Sequence, residues 1–199
     1  MVEKDILGVV QLHMSVFSNF FMTRLGKGFL RIFYMHYLNS NYAICKIAET
    51  DSRLIGFIVG NINPGLFFKE LFIKKGFLLF LHTLHLLIRH PVLVFRKLIY
   101  ALYYRGEQPD AVINYALISS LGVLSKFRSN GVGSKLISVF CQAAFDLDIK
   151  GCYLTTDKVG NENVNLFYKK NGFQLESTFQ QTKNRYLNRY VKILHEENI

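Results

Sequence analysis

Apolar side chains recur at helical spacing near the start of the chain, at Ile6, Val9, Val10, Met14 and Phe17, and predict a helix over residues 5–20. A second helix is predicted over 28–38, with Phe29, Ile32, Phe33 and Tyr37 on one face, and Asn39-Ser40-Asn41 breaks it. Residues 42–49 and 53–61 read as two strands joined by Thr50-Asp51-Ser52, a hairpin. Asn63-Pro64-Gly65 stops the second strand. From Phe67 to about Tyr104 the chain is mostly apolar, with Lys69, Lys74, Lys75, Arg89, Arg96 and Lys97 spaced along it. Pro91 divides this stretch and suits a first helical turn, so two or more helices are predicted. Residues 105–110 form a loop.

The second half alternates more regularly. Residues 111–124 read as a long strand and 131–148 as a helix, with Val132, Leu136, Ile137, Phe140, Ala144 and Leu147 in register. A short buried strand follows over 152–156. Residues 161–171 form a helix closed by Gly172, the residue type expected just past a helix end. Strands over 173–180 and 186–194, around a turn at 182–185, complete the chain. The pattern is α/β with a mixed sheet. No repeat or linker divides it, so residues 1–199 form one domain with an apolar helical insertion over 64–110.

Composition narrows the function classes. With 199 residues, half of them apolar, the chain can bury one sizeable core and is not disordered. The net charge of +10 fits a polyanionic cofactor, an anionic membrane surface or nucleic acid, and equally a basic solvated surface. Cys45, Cys141 and Cys152 have neither zinc nor redox spacing, and their odd number suits a reducing compartment. The first residues lack a signal-peptide layout, and the uncharged run 76–88 is too short to span a bilayer. A cytoplasmic protein is expected, with peripheral membrane contact left open.

The first chemical constellation runs from Leu121 through Val123 to Arg128-Ser129-Asn130-Gly131-Val132-Gly133-Ser134. A strand feeds a turn holding one arginine and two glycines, and a helix starts there. Unpaired N–H groups at a helix start carry partial positive charge and suit phosphate. Glycines allow close backbone approach, and Arg128 adds a charge-assisted donor. A tight structural connection would use the same residues. The Walker pattern is absent, and Leu136 stands where a dinucleotide fingerprint needs its third glycine. The second constellation is Asn161, then Phe167-Tyr168-Lys169-Lys170-Asn171-Gly172-Phe173. Phe167 and Phe173 suit a core, whereas Tyr168 is a phenol that keeps its proton at pH 7.

Together these segments resemble the GCN5-related N-acetyltransferase (GNAT) superfamily. The resemblance rests on Val123 with Arg128-x-x-Gly131-x-Gly133, then Asn161 and Phe167-Tyr168-x-Lys170-x-Gly172-Phe173, about a quarter of the chain. Ser125 stands where members often carry proline. The resemblance implies a mostly antiparallel twisted sheet flanked by helices, and acetyl-CoA as the acyl donor. It implies that the 128–134 turn takes the pyrophosphate and that the pantetheine arm pairs with the backbone near Leu121 and Val123. The Val123 N–H would then polarise the thioester carbonyl, Asn161 would contact the arm, and Tyr168 would protonate the departing thiolate. The amine would attack directly, with no nucleophilic cysteine. It also implies N-acetylation of a primary amine, with a non-catalytic CoA-binding module or a longer-chain acyltransferase at a membrane surface as alternatives.

The general base stays open. The strand over 112–120 has no carboxylate, which leaves Asp157, Glu49, Tyr115 or ordered water. Asp157 suits a turn or cap equally well. The insertion has three readings: a helical pair packed on the sheet or burying a homodimer interface, a lid over an acceptor site, and an interfacial membrane element. His82 and His85 have no carboxylate or Cys nearby, so no metal site is expected. Nucleic acid is disfavoured, because no basic helix or aromatic RNA-binding motif accompanies the charge. The stretches 20–26 and 28–33 are also loosely similar to bacterial acetyltransferases of surface-sugar biosynthesis. That similarity ranks an amino sugar first among acceptors, ahead of other small amines and of a protein N-terminus or lysine.

Overall fold

The computed structural model describes residues 1–51, 53–89, 114–182 and 184–195, with side chains described for all of these except 85–89. Helices α1 (Ile6–Val16), α2 (Phe21–Arg24) and α3 (Gly26–Asn39) precede the hairpin β1 (Ala43–Thr50) and β2 (Arg53–Asn61). Helix α4 (Pro64–Arg89) follows, then β3 (Tyr115–Val123), α5 (Val132–Phe145), β4 (Gly151–Asp157), α6 (Glu162–Lys170), β5 (Gln174–Thr182) and β6 (Arg185–Ile193).

The opening helical pattern breaks sooner than expected. Phe17 leaves helical geometry at φ −113° and ψ 38°, and the Thr23 hydroxyl donates to its carbonyl at 2.6 Å. The stop signal at 63–65 also starts a helix. The Asn63 side-chain oxygen accepts the Leu66 N–H at 3.0 Å, and Pro64 takes the first helical position, where its missing N–H is not needed. The second insertion helix expected from Pro91, the loop over 105–110, the start of the strand expected from Ala111 and the His85 side chain lie outside the described residues.

Six strands form one sheet in the order β1-β2-β3-β4-β6-β5, antiparallel except between β3 and β4. Helices α1, α3 and α4 cover one face through a core that includes Val9, Leu30, Phe33, Tyr34, Tyr37, Phe57 and Phe67. Helix α5 covers the other through Ile58, Ile118, Leu136, Ile137 and Phe140, and Tyr168 of α6 joins that core. Among the described residues, no helix is long and apolar enough to cross a membrane.

The parallel pair is short. Tyr115, Ala116 and Leu117 face Gly151, Cys152 and Tyr153, and no pairing of β3 with β4 is seen beyond them. β3 nonetheless runs on to Val123 and β4 to Asp157, so the sheet opens between them. On its other side β3 stays bonded to β2, with one irregularity: Val59 faces Ser120 and Gly60 faces Ile118, which leaves Ser119 as a bulge residue.

Candidate active site

The glycine turn sits at the end of the open segment of β3. Ser129 (φ 67°) and Gly131 (φ 76°) are both left-handed, a geometry that turns successive backbone N–H groups towards one side. Gly131 is the residue just before α5, and its carbonyl takes the Lys135 N–H at 2.9 Å. The amides of Val132, Gly133 and Ser134 therefore precede the first i→i−4 bond of the helix, where an anion can accept them.

The second motif meets the first. A Cβ on Gly133 would lie 3.0 Å from Cζ of Phe167 and 3.8 Å from Cγ2 of Val123. Strand β3, the glycine turn and α6 thus converge at one end of the sheet opening. Leu121 and Val123 are half-buried against the α5-side core.

Tyr168 is 8% exposed and lies between the rings of Phe167 and Phe173, with centroids 5.2 and 5.7 Å away. Burial raises its phenol above the usual value, so it holds its proton throughout the neutral range. Asn161 precedes α6, and its side chain makes no capping bond. Its carbonyl accepts both the backbone and the side-chain N–H of Asn165, each at 3.0 Å.

Asn165 was not foreseen. Its amide also donates to the Asp157 carbonyl at 3.0 Å, and its oxygen accepts the Thr156 hydroxyl at 2.5 Å. Asn188 extends this network to β6, and Thr178 extends it to β5. The network fixes α6, and with it Asn161 and Tyr168, to β4. The available signal was the i, i+4 spacing from Asn161, which puts both residues on one helix face.

The candidate bases are dispersed. Both oxygens of Asp157 are engaged by Arg185, at 2.6 and 3.1 Å. Glu49 is exposed, beside a groove of about 470 Å³ lined by Ile47, Asn130, Gly131 and Lys135. Tyr115 is buried with its ring against Gly151. Cys141 and Cys152 are fully buried with sulfurs 3.9 Å apart, on the core side of α5 and β4. His82 packs against Gly28 of α3. Among the described residues no group of three or more metal-ligating side chains stands together.

Residues 94–175, which contain both motifs, match the family model described as an acetyltransferase (GNAT) domain. The chain thus carries a match to the GNAT acetyltransferase domain over those residues. It is an N-acetyltransferase with acetyl-CoA as acyl donor, as expected from the two motifs. The GNAT fold recurs in solved structures of low sequence identity. A ribosomal-protein-alanine N-acetyltransferase from Brucella melitensis has a TM-score of 0.62 at 15% identity, over 98% of this chain and 97% of that one. An aminoglycoside 6'-acetyltransferase type Ii has a TM-score of 0.59 at 14% identity, over 96% and 88%. A protein described as a streptothricin acetyltransferase, from Bacillus anthracis str. Ames in complex with acetyl coenzyme A, has a TM-score of 0.53 at 20% identity, over 81% and 68%. No curated protein matches the chain in sequence.

Proposed function

We propose that this protein transfers an acetyl group from acetyl-CoA directly to the primary amine of a small molecule, with amino sugars the first acceptors to try. The observation that carries the reading is the meeting of Gly133, Val123 and Phe167 beside the sheet opening. It sets a helix-start turn that can take an anion beside an unpaired strand edge, and the residue after Phe167 is the buried phenol Tyr168.

That geometry supports the following roles. Arg128 and the amides from Ser129 to Ser134 receive the pyrophosphate. The free edge of β3 at Leu121 and Val123 receives the pantetheine amides, and the Val123 N–H faces the thioester carbonyl, where negative charge develops during attack. The Asn161 side chain has no capping duty and is available to the same arm. Tyr168 donates its proton to the sulfur as the C–S bond breaks, and the amine nitrogen forms the new C–N bond. We do not route the amine's proton through Asp157, because a carboxylate held bidentately by Arg185 is a weak base. A neutral amine losing its proton to water after attack needs no stronger group.

Among the neighbours, one enzyme is named for an aminoglycoside, one for streptothricin and one for a ribosomal protein. The net charge of +10 favours an acceptor with anionic groups, such as a nucleotide-linked amino sugar. The test is an amine panel with thiol-release detection, containing amino sugars, their nucleotide conjugates, polyamines and N-terminal peptides. Saturable release with one amine supports the reading. Acetyl-CoA binding without release from any amine overturns it.

A further inference from the structure

Two polar chains cross the α3-side core and end on consecutive serines of β3. The Ser119 hydroxyl donates to the Asn61 side-chain oxygen at 2.9 Å, and the Asn61 amide donates to the Tyr37 hydroxyl at 3.2 Å. One turn earlier on α3, the Tyr34 hydroxyl is 2.6 Å from His13 Nδ1 and lies against the Ser120 side chain. Asn61, Tyr34 and Tyr37 are essentially inaccessible to water, whereas Ser119 is exposed. The bulge makes this possible. In a regular strand, neighbouring side chains point to opposite faces; here Ser119 and Ser120 both point towards α3.

We infer that Ser119 positions the acceptor amine. The inference rests on the acetyltransferase reading above and concerns the side from which the amine arrives. Ser119 lies two residues beyond Leu117, the last residue of β3 paired with β4, at the mouth of the opening. An acyl donor lying along the free edge of β3 can be reached from either sheet face. The α5 face is closed there by Leu121, Val123 and Phe167, and it also supplies Tyr168. That leaves the α3 face, where the Ser119 oxygen is an exposed polar atom beside the opening.

The direction of the hydrogen bonds defines what Ser119 can take. Its one hydroxyl proton goes to Asn61, so towards the opening it presents lone pairs. Lone pairs accept an N–H, which a primary amine carries and the thioester group does not; the amide N–H groups of the pantetheine arm are the rival donors, and the CoA Kd distinguishes them. Holding one N–H turns the nitrogen lone pair, rather than a hydrogen, towards the carbonyl carbon. Asn61 and Tyr37 are positioning residues, since they act on the amine only through Ser119.

The test compares wild type with Ser119→Ala and Ser119→Thr, using spermidine, D-glucosamine and kanamycin as acceptors and isothermal titration of CoA as a second readout. The expected result is a rise of about tenfold in the amine KM of Ser119→Ala, the scale of one lost hydrogen bond to a charged or polar partner. The KM for acetyl-CoA and the CoA Kd stay at wild-type values, and Ser119→Thr, which keeps the hydroxyl, stays within about twofold of wild type in amine KM. An unchanged amine KM in Ser119→Ala, or a loss confined to CoA binding, overturns the inference and leaves the acetyltransferase reading standing. If wild type binds CoA but acetylates none of the acceptors, the reading itself fails for these amines and the inference falls with it.

Discussion

The ring of Phe167 fills the space where a side chain at Gly133 would stand, its Cζ 3.0 Å from the position of an added Cβ. The glycine is therefore needed for packing between two motifs, beyond any closeness to phosphate. Gly133→Ala is expected to push α6 away from the turn and raise the CoA Kd about tenfold or more, by misplacing groups that bind the pyrophosphate. Gly131 differs, because nothing lies within 4 Å of its added Cβ but its φ is +76°. Gly131→Ala is expected to lose about 1–2 kcal/mol of stability through left-handed strain alone. Calorimetric titration of CoA and thermal melts separate the two effects.

Tyr168→Phe keeps the ring that packs between Phe167 and Phe173 and removes the proton. If Tyr168 is the acid, kcat falls by about a hundredfold or more, the usual scale for a general acid. The CoA Kd stays put. An undiminished kcat would remove Tyr168 from the chemistry.

Asp157 gives the converse test. Its pair with Arg185 is partly exposed, so Asp157→Asn should change stability by less than about 1 kcal/mol. The same variant should keep kcat/KM within about threefold of wild type, whereas loss of a working base would lower it by about a hundredfold. A steady-state assay across several pH values decides between these outcomes.

The pH dependence of stability should be set on the acid side by two buried histidines. Burial pushes the pKa of His13 down to about 4, and burial also lowers that of His36, where the Phe67 carbonyl and Glu70 act against it. In the unfolded chain each titrates near 6.5. Between about 4 and 6.5 the unfolded chain therefore binds more protons than the folded one, so stability rises with pH across that window. It is fully present above about 6.5 and is lost as the pH falls towards 4, with His13 contributing on the order of 3 kcal/mol. Urea midpoints measured from pH 4.5 to 7.5 should show the slope, and His13→Gln should flatten it.

The sequence was informative wherever structure is local. The hairpin at 42–61, the Gly172 helix stop and the glycine turn each follow from a few adjacent residues with defined backbone demands, and all three are present. The insertion was less legible, because its apolar residues give no clear face. The 63–65 stop signal concealed a helix start, since Asn63 serves both purposes. The Ser119–Asn61 bond joins residues 58 apart and depends on a bulge, which alternation in a sequence does not reveal. Asp157 reads in the sequence as one of several candidate bases and equally as a turn or cap residue. The arginine that holds it is 28 positions away and arrives only when β6 pairs with β4.

The three-residue pairing of β3 with β4 makes the middle of the sheet a seam. Most sheets have their vulnerable edges at the rim; this one carries a second pair inside, with α5 bridging the halves. Amides 118–123 on the β4 side should therefore exchange with solvent faster than those of β2 or β6, although they lie in the central strand. A molecule threaded through the gap would be a structural tie as well as a reactant, and saturation with CoA should slow that exchange and bring both halves to melt as one.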